Sequence, residues 1–201
     1  STSVPVTLTY SIWGDPTHPR TSTTTLQAGE VRALDNLIRS QTWAGDPMPS
    51  NSAGSLIVTT SASSSLVATA RTYTQATSGT YGQFIPAVTP TQSVGLGGGN
   101  LQLLQLEASE RFRTNIGLAE TSGNAATAHI SLILPDSKFA ISTDIPLKAN
   151  EFQQISLASF GAGTVYNGRV TVSVKSGSGR VTAYGSVIDQ QTQDPTYVPA
   201  Q

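Results

Sequence analysis

The chain contains no cysteine and little charge. Of its 201 residues, none is Cys and only 11% are Asp, Glu, Lys or Arg. The missing cysteine excludes a disulfide framework, a thiolate nucleophile and a Cys-ligated zinc ion. The formal net charge is −1, and the Lys and Arg residues are scattered without a basic run. We therefore expect no binding to nucleic acid, which requires clustered positive charge.

Long apolar runs are also absent. No stretch reaches the roughly 20 apolar residues that a membrane-spanning helix needs, and no charged-then-apolar leader precedes Ser1. We expect no membrane insertion, and we expect that any export signal has already been removed. Ser and Thr make up about a quarter of the chain in place of charge. This composition favours strands with hydroxyl-bearing outer faces and an extracellular or cell-surface location.

Period-two alternation is the main structural signal that is present. In residues 4–10 apolar side chains alternate with small polar ones, which predicts a half-buried strand. Similar segments lie at 56–60, 66–73, 112–118, 128–134, 170–174 and 180–188. Enrichment in Leu, Glu, Arg and Ala predicts two short helices, at 30–40 and 101–113. The predicted fold class is all-β.

The sequence repeats itself internally. Residues 26–34 match residues 147–155 at an offset of 121, with Gly29 opposite Asn150. Gly and Asn both tolerate positive φ, so this pair predicts the same left-handed turn in each copy. Further matches join residues 4–10 to 126–132, 54–58 to 168–172 and 83–87 to 196–200.

These matches predict two related β-sandwich halves in tandem. The predicted units are residues 1–93 and 101–201, joined by a glycine-rich linker at 94–100. Correct strand register would turn one set of alternating side chains in each half toward a core. That set is Val4, Val6, Leu8 and Tyr10 in the first half, and Ala126, Ala128, Ile130 and Leu132 in the second.

The second half carries a leading segment that the first half lacks. Residues 101–120 precede its matched part, whereas the first matched strand begins close to Ser1. A sandwich that lacks a strand exposes an unpaired edge. Three interpretations remain open: a trimmed chain, completion by residues 101–120 of the same chain, and completion by a strand of another copy, which would build a filament.

Four segments resemble a known family. They are residues 71–73 (RTY), 79–87 (GTYGQFIPA), 112–118 (FRTNIGL) and 194–201 (DPTYVPAQ). In their order along nearly the whole chain they resemble the repeated Ig-like β-sandwich modules of large secreted and cell-surface bacterial proteins. The resemblance implies Ig-like halves and a structural or adhesive role. It implies partners that are other domains of a surface protein or copies of the same chain, and it carries over no catalytic residue.

Candidates for catalysis are few. Only His18 and His129 could be the base of a Ser/His/Asp triad. His18 falls in a proline-bracketed turn, His129 falls on the polar side of a strand, and no Gly-x-Ser-x-Gly elbow accompanies them. Glu107 and Glu110 stand beside arginines, which is typical of a solvated charged edge. We predict no enzyme activity, no catalytic residue and no cofactor.

No metal or phosphate motif is evident. The isolated aspartates stand next to proline or in predicted turns, where Asp commonly caps its own backbone. They are Asp15, Asp46, Asp136, Asp189 and Asp194. We predict no metal site, although a calcium ion in a loop remains open because carboxylates are its ligands. The glycine run 95–99 lacks the Lys-Ser/Thr of a phosphate loop and indicates a hinge or a tight linker.

Four aromatic residues are the candidate ligand-binding residues. Trp13, Trp43, Tyr81 and Tyr166 fall in or near predicted loops, where they could stack on sugar rings or close the end of a sandwich. The loop at 39–53 around Trp43 is longer than its counterpart, and added loop length is where binding functions arise. The main prediction is a non-catalytic structural or adhesive module. The alternatives are a carbohydrate-binding module and a filament subunit assembled by strand complementation.

Overall fold

The computed structural model describes residues 3–61, 66–77, 79–135 and 140–201, and it is built almost wholly of antiparallel strands. The strands are β1 (Val4–Ile12), β2 (Asp15–Leu26), β3 (Gly54–Thr60), β4 (Thr69–Ala76), β5 (Gly79–Pro86), β6 (Leu101–Ala108), β7 (Phe112–Glu120), β8 (Ala126–Ile133), β9 (Ala140–Leu147), β10 (Phe152–Ser156), β11 (Val165–Gly177), β12 (Val181–Asp189) and β13 (Pro195–Pro199). One helical turn, α1 (Leu37–Ser40), and two 3-10 turns at Pro90–Gln92 and Leu157–Phe160 complete the described elements. The predicted all-β class is confirmed. Among these residues no helix has the length and apolarity to cross a membrane.

The second half is a sandwich of two four-stranded sheets. Their strand orders are β10-β7-β12-β13 and β6-β11-β8-β9. Alternating side chains from both sheets fill the space between them, as period-two alternation requires. The most deeply buried of these are Leu103, Leu106, Ile116, Leu118, Ile130, Leu132, Val165, Val170, Val172 and Val181. β6 lies where the sheets meet, because it pairs with β11 and also packs against β7, β12 and β13.

The first half has fewer strands. It consists of a three-stranded sheet, β2-β1-β3, and a hairpin, β4-β5. In the second half, β6 packs against β7, β12 and β13 of the opposite sheet. In the part of the first half that the structure describes, no strand of the sheet β2-β1-β3 packs against the hairpin β4-β5 in a comparable way. The first half is therefore more open than the second.

The strand pairings of the two halves nonetheless match residue by residue. Leu8 pairs with Val58 between β1 and β3, and their repeat counterparts Ile130 and Val172 pair between β8 and β11. The same holds for Val4 with Leu26 and Ala126 with Leu147, and for Arg71 with Phe84 and Ser186 with Tyr197. The order β2-β1-β3 thus corresponds to β9-β8-β11, and β4-β5 corresponds to β12-β13.

The turn after β2 has the same geometry as the turn after β9. Gly29 has a φ of 77° and Asn150 a φ of 58°, so both adopt the predicted left-handed conformation. Glu30 Oε2 accepts a 2.7 Å hydrogen bond from Gln27 N–H, and Glu151 Oε2 accepts one of 2.6 Å from Lys148 N–H. The predicted equivalence of these turns is confirmed.

The predicted core positions are confirmed with one exception. Val6, Leu8 and Tyr10 are at most 6% exposed, and Ala126, Ala128, Ile130 and Leu132 are at most 4% exposed. Val4 is only half-buried, because it begins β1 and pairs with the last residue of β2 at the end of the sheet.

The predicted helix at 101–113 is wrong. These residues form β6, a tight turn and the start of β7. Leu106 pairs with Gly168 and Leu103 with Val170, so two residues of β6 oppose one of β11 in a β-bulge. Gln105 in this bulge has a φ of 58°, and the neighbouring Leu104 turns outward. The bulge explains why the leucines of this segment follow neither a helical nor a strand period.

Two other local predictions need correction. The helix predicted at 30–40 is limited to the single turn α1, and Val31 is 97% exposed. The proline-bracketed turn around His18 lies instead within β2, in an irregularity where residues 16–19 bulge opposite Ser11. Because β2 is an edge strand, it can hold Pro16 and Pro19 without losing interior ladder bonds.

Candidate functional site

A row of aromatic rings crosses the outer face of the sheet β10-β7-β12-β13 and reaches the first half. Trp13 meets Phe152 edge-on, with ring centroids 6.4 Å apart and an interplanar angle of 82°. Phe152 stacks on Tyr184 at 6.5 Å, and Tyr184 stacks on Tyr197 at 5.4 Å. Offset stacks and edge-to-face pairs are the arrangements that aromatic rings prefer. The row therefore joins the tip of the β1-β2 hairpin to three strands of the second half.

The sequence of β7 makes room for this row. A Cβ atom on Gly117 would lie 2.1 Å from Tyr184 Cε1, so only glycine allows the ring to lie across the strand. Gln154 donates a 3.4 Å hydrogen bond to the Tyr184 hydroxyl. Burial raises the pKa of both Tyr184 and Tyr197. Both phenols remain neutral across the physiological range and act as packing groups.

Polar contacts and the linker complete the interface between the halves. Ser186 Oγ donates a 3.0 Å hydrogen bond to Gln83 Oε1 of β5. At the linker, Val94 and Val181 exchange two backbone hydrogen bonds of 2.9 and 2.8 Å, and the Arg180 guanidinium donates to the Ser93 carbonyl. The Gly-rich stretch forms a turn in which Gly98 N–H donates to the Gly95 carbonyl. Of the two interpretations of this stretch, the hydrogen bonds favour the tight linker.

Trp43 closes one end of the first half. Its ring lies 6.0 Å from that of Tyr10, and its Nε1–H donates a 3.2 Å hydrogen bond to the Ile38 carbonyl. The next residue, Ala44, exchanges backbone hydrogen bonds with Thr21 of β2. A shallow cleft of about 460 Å³ opens beside the ring. It is lined by Ile38, Arg39, Gln41, Trp43, Gly45, Asp46, Pro47, Met48, Pro49 and Ser50.

The other three candidate aromatics lie apart from this cleft. Trp13, at the tip of the β1-β2 hairpin, is 47% exposed; Tyr166 at the start of β11 is 63% exposed. Tyr81 is half-buried in β5, opposite Thr74. Among the described residues no ring contact joins Trp13, Trp43 and Tyr166 to one another, so they do not form one platform.

The sequence did not single out Phe152, Tyr184 or Tyr197. Val181, Ala183 and Gly185 alternate with Tyr184 and face the core, so this alternation places Tyr184 on the outer face and could have revealed it.

Two strands of the first half have an unpaired edge. In the second half β11 lies between β8 and β6, and β12 lies between β13 and β7. Their counterparts β3 and β4 pair only with β1 and β5 within the residues that the structure describes. Residues 101–120 do not close these edges, because β6 pairs with β11 and β7 pairs with β10 and β12. Completion by the same chain, one of the three interpretations of the sequence, is therefore not the arrangement found.

Glu120, the last residue of β7, is a buried hydrogen-bonding centre. It is 2% exposed, and its carboxylate accepts from the N–H groups of Ser122, Gly123, Asn150 and Arg180 at 2.7 to 3.2 Å, and from Ser122 Oγ at 2.5 Å. Burial alone would raise the pKa of this carboxyl, but the hydrogen bonds outweigh burial and lower it. Glu120 stays ionised and ties three loops of the second half together.

A Ser, a His and an Asp do meet on the outer face of the sheet β6-β11-β8-β9. His129 Nδ1 lies 2.7 Å from Asp144 Oδ1, and His129 Nε2 lies 3.3 Å from Ser131 Oγ. Hydrogen bonds from Lys175 and His129 lower the pKa of Asp144. However, β8 is a central strand, so its backbone N–H groups point in the plane of the sheet to β9 and β11. Among the described residues, the N–H groups of β8 therefore supply no outward-facing donor for an oxyanion hole of the kind that stabilises acyl transfer.

The other histidine is part of a structural cluster. His18 Nδ1 lies 2.6 Å from Asp15 Oδ1, and the buried Arg20 donates to Asp15 Oδ2 at 3.0 Å and to the His18 carbonyl at 2.5 Å. The hydrogen bond to Asp15 raises the pKa of His18. These contacts stabilise the bulge of β2.

The isolated aspartates do not gather into a group of ligands. In the described part of the chain, no three His, Asp or Glu side chains converge to hold an ion. Among the isolated aspartates, Asp189 caps its own turn by accepting from Gln191 N–H at 2.8 Å and also pairs with Arg111. Asp136 lies outside the described residues.

Comparison with models of protein families, with curated proteins and with solved structures finds no match to this chain.

Proposed function

We propose that the chain is a non-catalytic structural segment of an exported protein, formed by two Ig-like β-sandwich modules in tandem. The modules would act as a stiff spacer on a cell surface or in a secreted protein. Their partners would be the adjoining domains of the same protein or further copies of the module. The resemblance to repeated bacterial surface modules and the hydroxyl-rich composition support the location.

The observation that carries this proposal is the contact between the halves. A flexible tether would leave the linker without hydrogen bonds and the facing surfaces polar. Here the linker is bonded to β12 through Val94 and Val181, and the ring of Trp13 packs on Phe152. Such contacts restrict the relative orientation of two modules, which is the property that a load-bearing or spacing segment needs.

Small-angle X-ray scattering tests the proposed stiffness. The unaltered chain should scatter in dilute solution as one rigid particle with a single maximum dimension. The double variant Trp13→Ala, Ser186→Ala removes a ring contact and a hydrogen bond of the interface, and we expect its maximum dimension to increase. Tyr166→Ala, which removes an exposed ring outside the interface, is the matched control and should scatter like the parent chain. A parent profile that only a mixture of orientations fits would contradict the proposal.

A carbohydrate-binding role is the second candidate, and the cleft beside Trp43 is the observation that favours it. The cleft combines one face of an indole with the polar side chains of Arg39, Gln41 and Asp46, which is the chemistry that recognises a sugar ring. Glycan-array binding tests it. Because Trp43 also closes the fold, the informative variant is Arg39→Ala, Gln41→Ala, which alters the exposed rim. Binding that this variant abolishes and Tyr166→Ala retains would favour this function, and an array without signal would exclude it.

A further inference from the structure

We propose that the open edges of β3 and β4 together form an acceptor site for a two-stranded segment of the same kind as residues 101–120, supplied by a neighbouring module. This inference rests on the proposed tandem of modules. It names the partner that completes the first half, and it identifies the partner by its strand pattern and its inward-facing side chains.

The matched registers locate the acceptor site. β6 covers the edge of β11 and β7 covers the edge of β12, and β11 and β12 correspond to β3 and β4. A tight turn joins β6 to β7, in which Ser109 N–H donates to the Phe112 carbonyl at 2.8 Å. One continuous segment of about 20 residues therefore completes both sheets of the second half, and one such segment would complete both sheets of the first.

The exposure of core positions shows what the segment would cover. Val170 and Val172 of β11 are fully buried, whereas their counterparts Leu56 and Val58 of β3 are only half-buried. Ahead of the other strand, Leu66 lies three residues before β4 and is half-buried, whereas its counterpart Val181, the first residue of β12, is fully buried. The side chains have the apolar character of a core, but in the described residues no strand stands in the place of β6 or β7.

The backbone N–H of Gly29, at the end of the acceptor site, also indicates a segment like residues 101–120. In the second half Asn150 N–H donates to Glu120 Oε2 at 2.9 Å. Gly29 is its counterpart, and its N–H donates to no group of the described residues. An incoming segment whose second strand ends in a glutamate, as β7 does, would supply the missing acceptor.

The occupant follows from these observations. Its first strand carries apolar residues at the positions of Leu103 and Leu106, and its second carries them at those of Ile116 and Leu118, with a carboxylate at the position of Glu120. The chain's own residues 101–120 are already paired within the second half. The source is therefore a segment outside residues 1–201, which we assign to a neighbouring module of the same type, and strand addition to an open sheet edge is the mode of binding.

A fusion protein tests the proposal. A second copy of residues 101–122 is placed directly before Ser1, so that the added strand precedes β1 at the same spacing as β7 precedes β8. The readout is amide hydrogen exchange followed by mass spectrometry. We expect exchange in residues 55–59 and 69–76 to slow by at least about tenfold, while β11 and β12 are unchanged.

The matched control carries Leu103→Ser, Leu106→Ser and Ile116→Ser in the added copy alone. It keeps the length and the backbone of the fusion but lacks the apolar side chains, and we expect exchange at the level of the unfused chain. Unchanged exchange in β3 and β4 with the unaltered fusion would overturn the proposal, and so would equal protection by the control. The scattering experiment on the unfused chain tests the stiff tandem separately, so failure of one proposal is distinguishable from failure of the other.

Discussion

The two halves of this chain have the same strand register but differ in what covers them. In the second half, β11 and β12 are interior strands with fully buried Val172 and Val181. In the first half, the equivalent strands are edges, and all but the last residue of β4 is exposed. The comparison shows that the repeat specifies which strands pair, whereas burial depends on a separate segment, residues 101–120.

The strand β10 has no counterpart strand in the first half, although its sequence does have a matching segment there. Residues 152–156 form β10 because β7 lies beside them, with Ile155 opposite Ile116. The matching residues 31–35 have no such neighbour among the described residues and form no strand, although the turn before them has the same left-handed geometry. A β-strand needs a partner to satisfy its backbone, so the same local sequence gives a strand in one half and a loop in the other.

The largest effect should come from Glu120, which belongs to the segment that covers the second half. Glu120→Gln keeps the shape but replaces one accepting oxygen with an NH₂ group, which faces N–H donors that then lack an acceptor. We expect the second half to lose about 2–3 kcal/mol of stability. Urea unfolding followed by circular dichroism measures the loss. Glu110→Gln, an exposed change in the same segment, is the control and should have little effect.

The same carboxylate predicts how stability depends on pH. Because the pKa of Glu120 is lowered in the folded state, its contribution is present above the usual pKa of glutamate and is lost as pH falls through the lowered value. The urea midpoint of the parent chain should therefore fall as the solution is acidified below about pH 4.5. Glu120→Gln should show a flatter pH profile, and parallel profiles for the two chains would contradict this account.

Truncation of matched core valines should give unequal losses. Val172→Ala removes two buried methyl groups and should cost about 2 kcal/mol, whereas Val58→Ala, at the equivalent but half-buried position, should cost less than about 1 kcal/mol. Both tryptophans lie in the first half, so their fluorescence follows its unfolding while circular dichroism follows both halves. Equal losses would show that the first half is as well covered as the second.

The smallest effect should come from the polar outer face. His129 and Asp144 occupy the positions that Thr7 and Thr23 hold in the first half, and each pair is directly opposite across the sheet. The double variant His129→Thr, Asp144→Thr should change stability by less than about 1 kcal/mol, because exposed pairs contribute little. Its hydrolysis of a p-nitrophenyl ester should equal that of the parent chain. A loss of hydrolysis would revive the Ser131 cluster as a catalytic site.

Much of the strand plan could be predicted from the sequence, because alternation and the repeat are local signals. The repeat matches Leu8 to Ile130 and Val58 to Val172. The pairing of Leu8 with Val58 between β1 and β3 therefore recurs as the pairing of Ile130 with Val172 between β8 and β11. The helix predicted at 101–113 failed because pairing with β11 overrides the helix propensity of Leu and Glu, and the bulge at Gln105 disturbs the alternation.

The sequence identified two of the aromatic residues that have a structural role, but it did not identify their partners. Trp13 contributes to the interface and Trp43 closes an end of the fold, but the partners of Trp13 lie in the other half of the chain. Contacts between distant strands depend on tertiary packing, and a repeat that describes each half separately carries no information about them. The hydrogen-bonding role of Glu120 was missed for the same reason, since Asn150 and Arg180 are remote in sequence.

The central claim is that β11 and β12 are covered by neighbouring strands, whereas their counterparts β3 and β4 have open edges. Amide hydrogen exchange of the unaltered chain tests this claim most directly. Amides of β11 and β12 should exchange only through global unfolding of their half, whereas amides of β3 at 55–59 and of β4 should exchange at least about a hundredfold faster. Equal protection of β3 and β11, and of β4 and β12, would contradict the account.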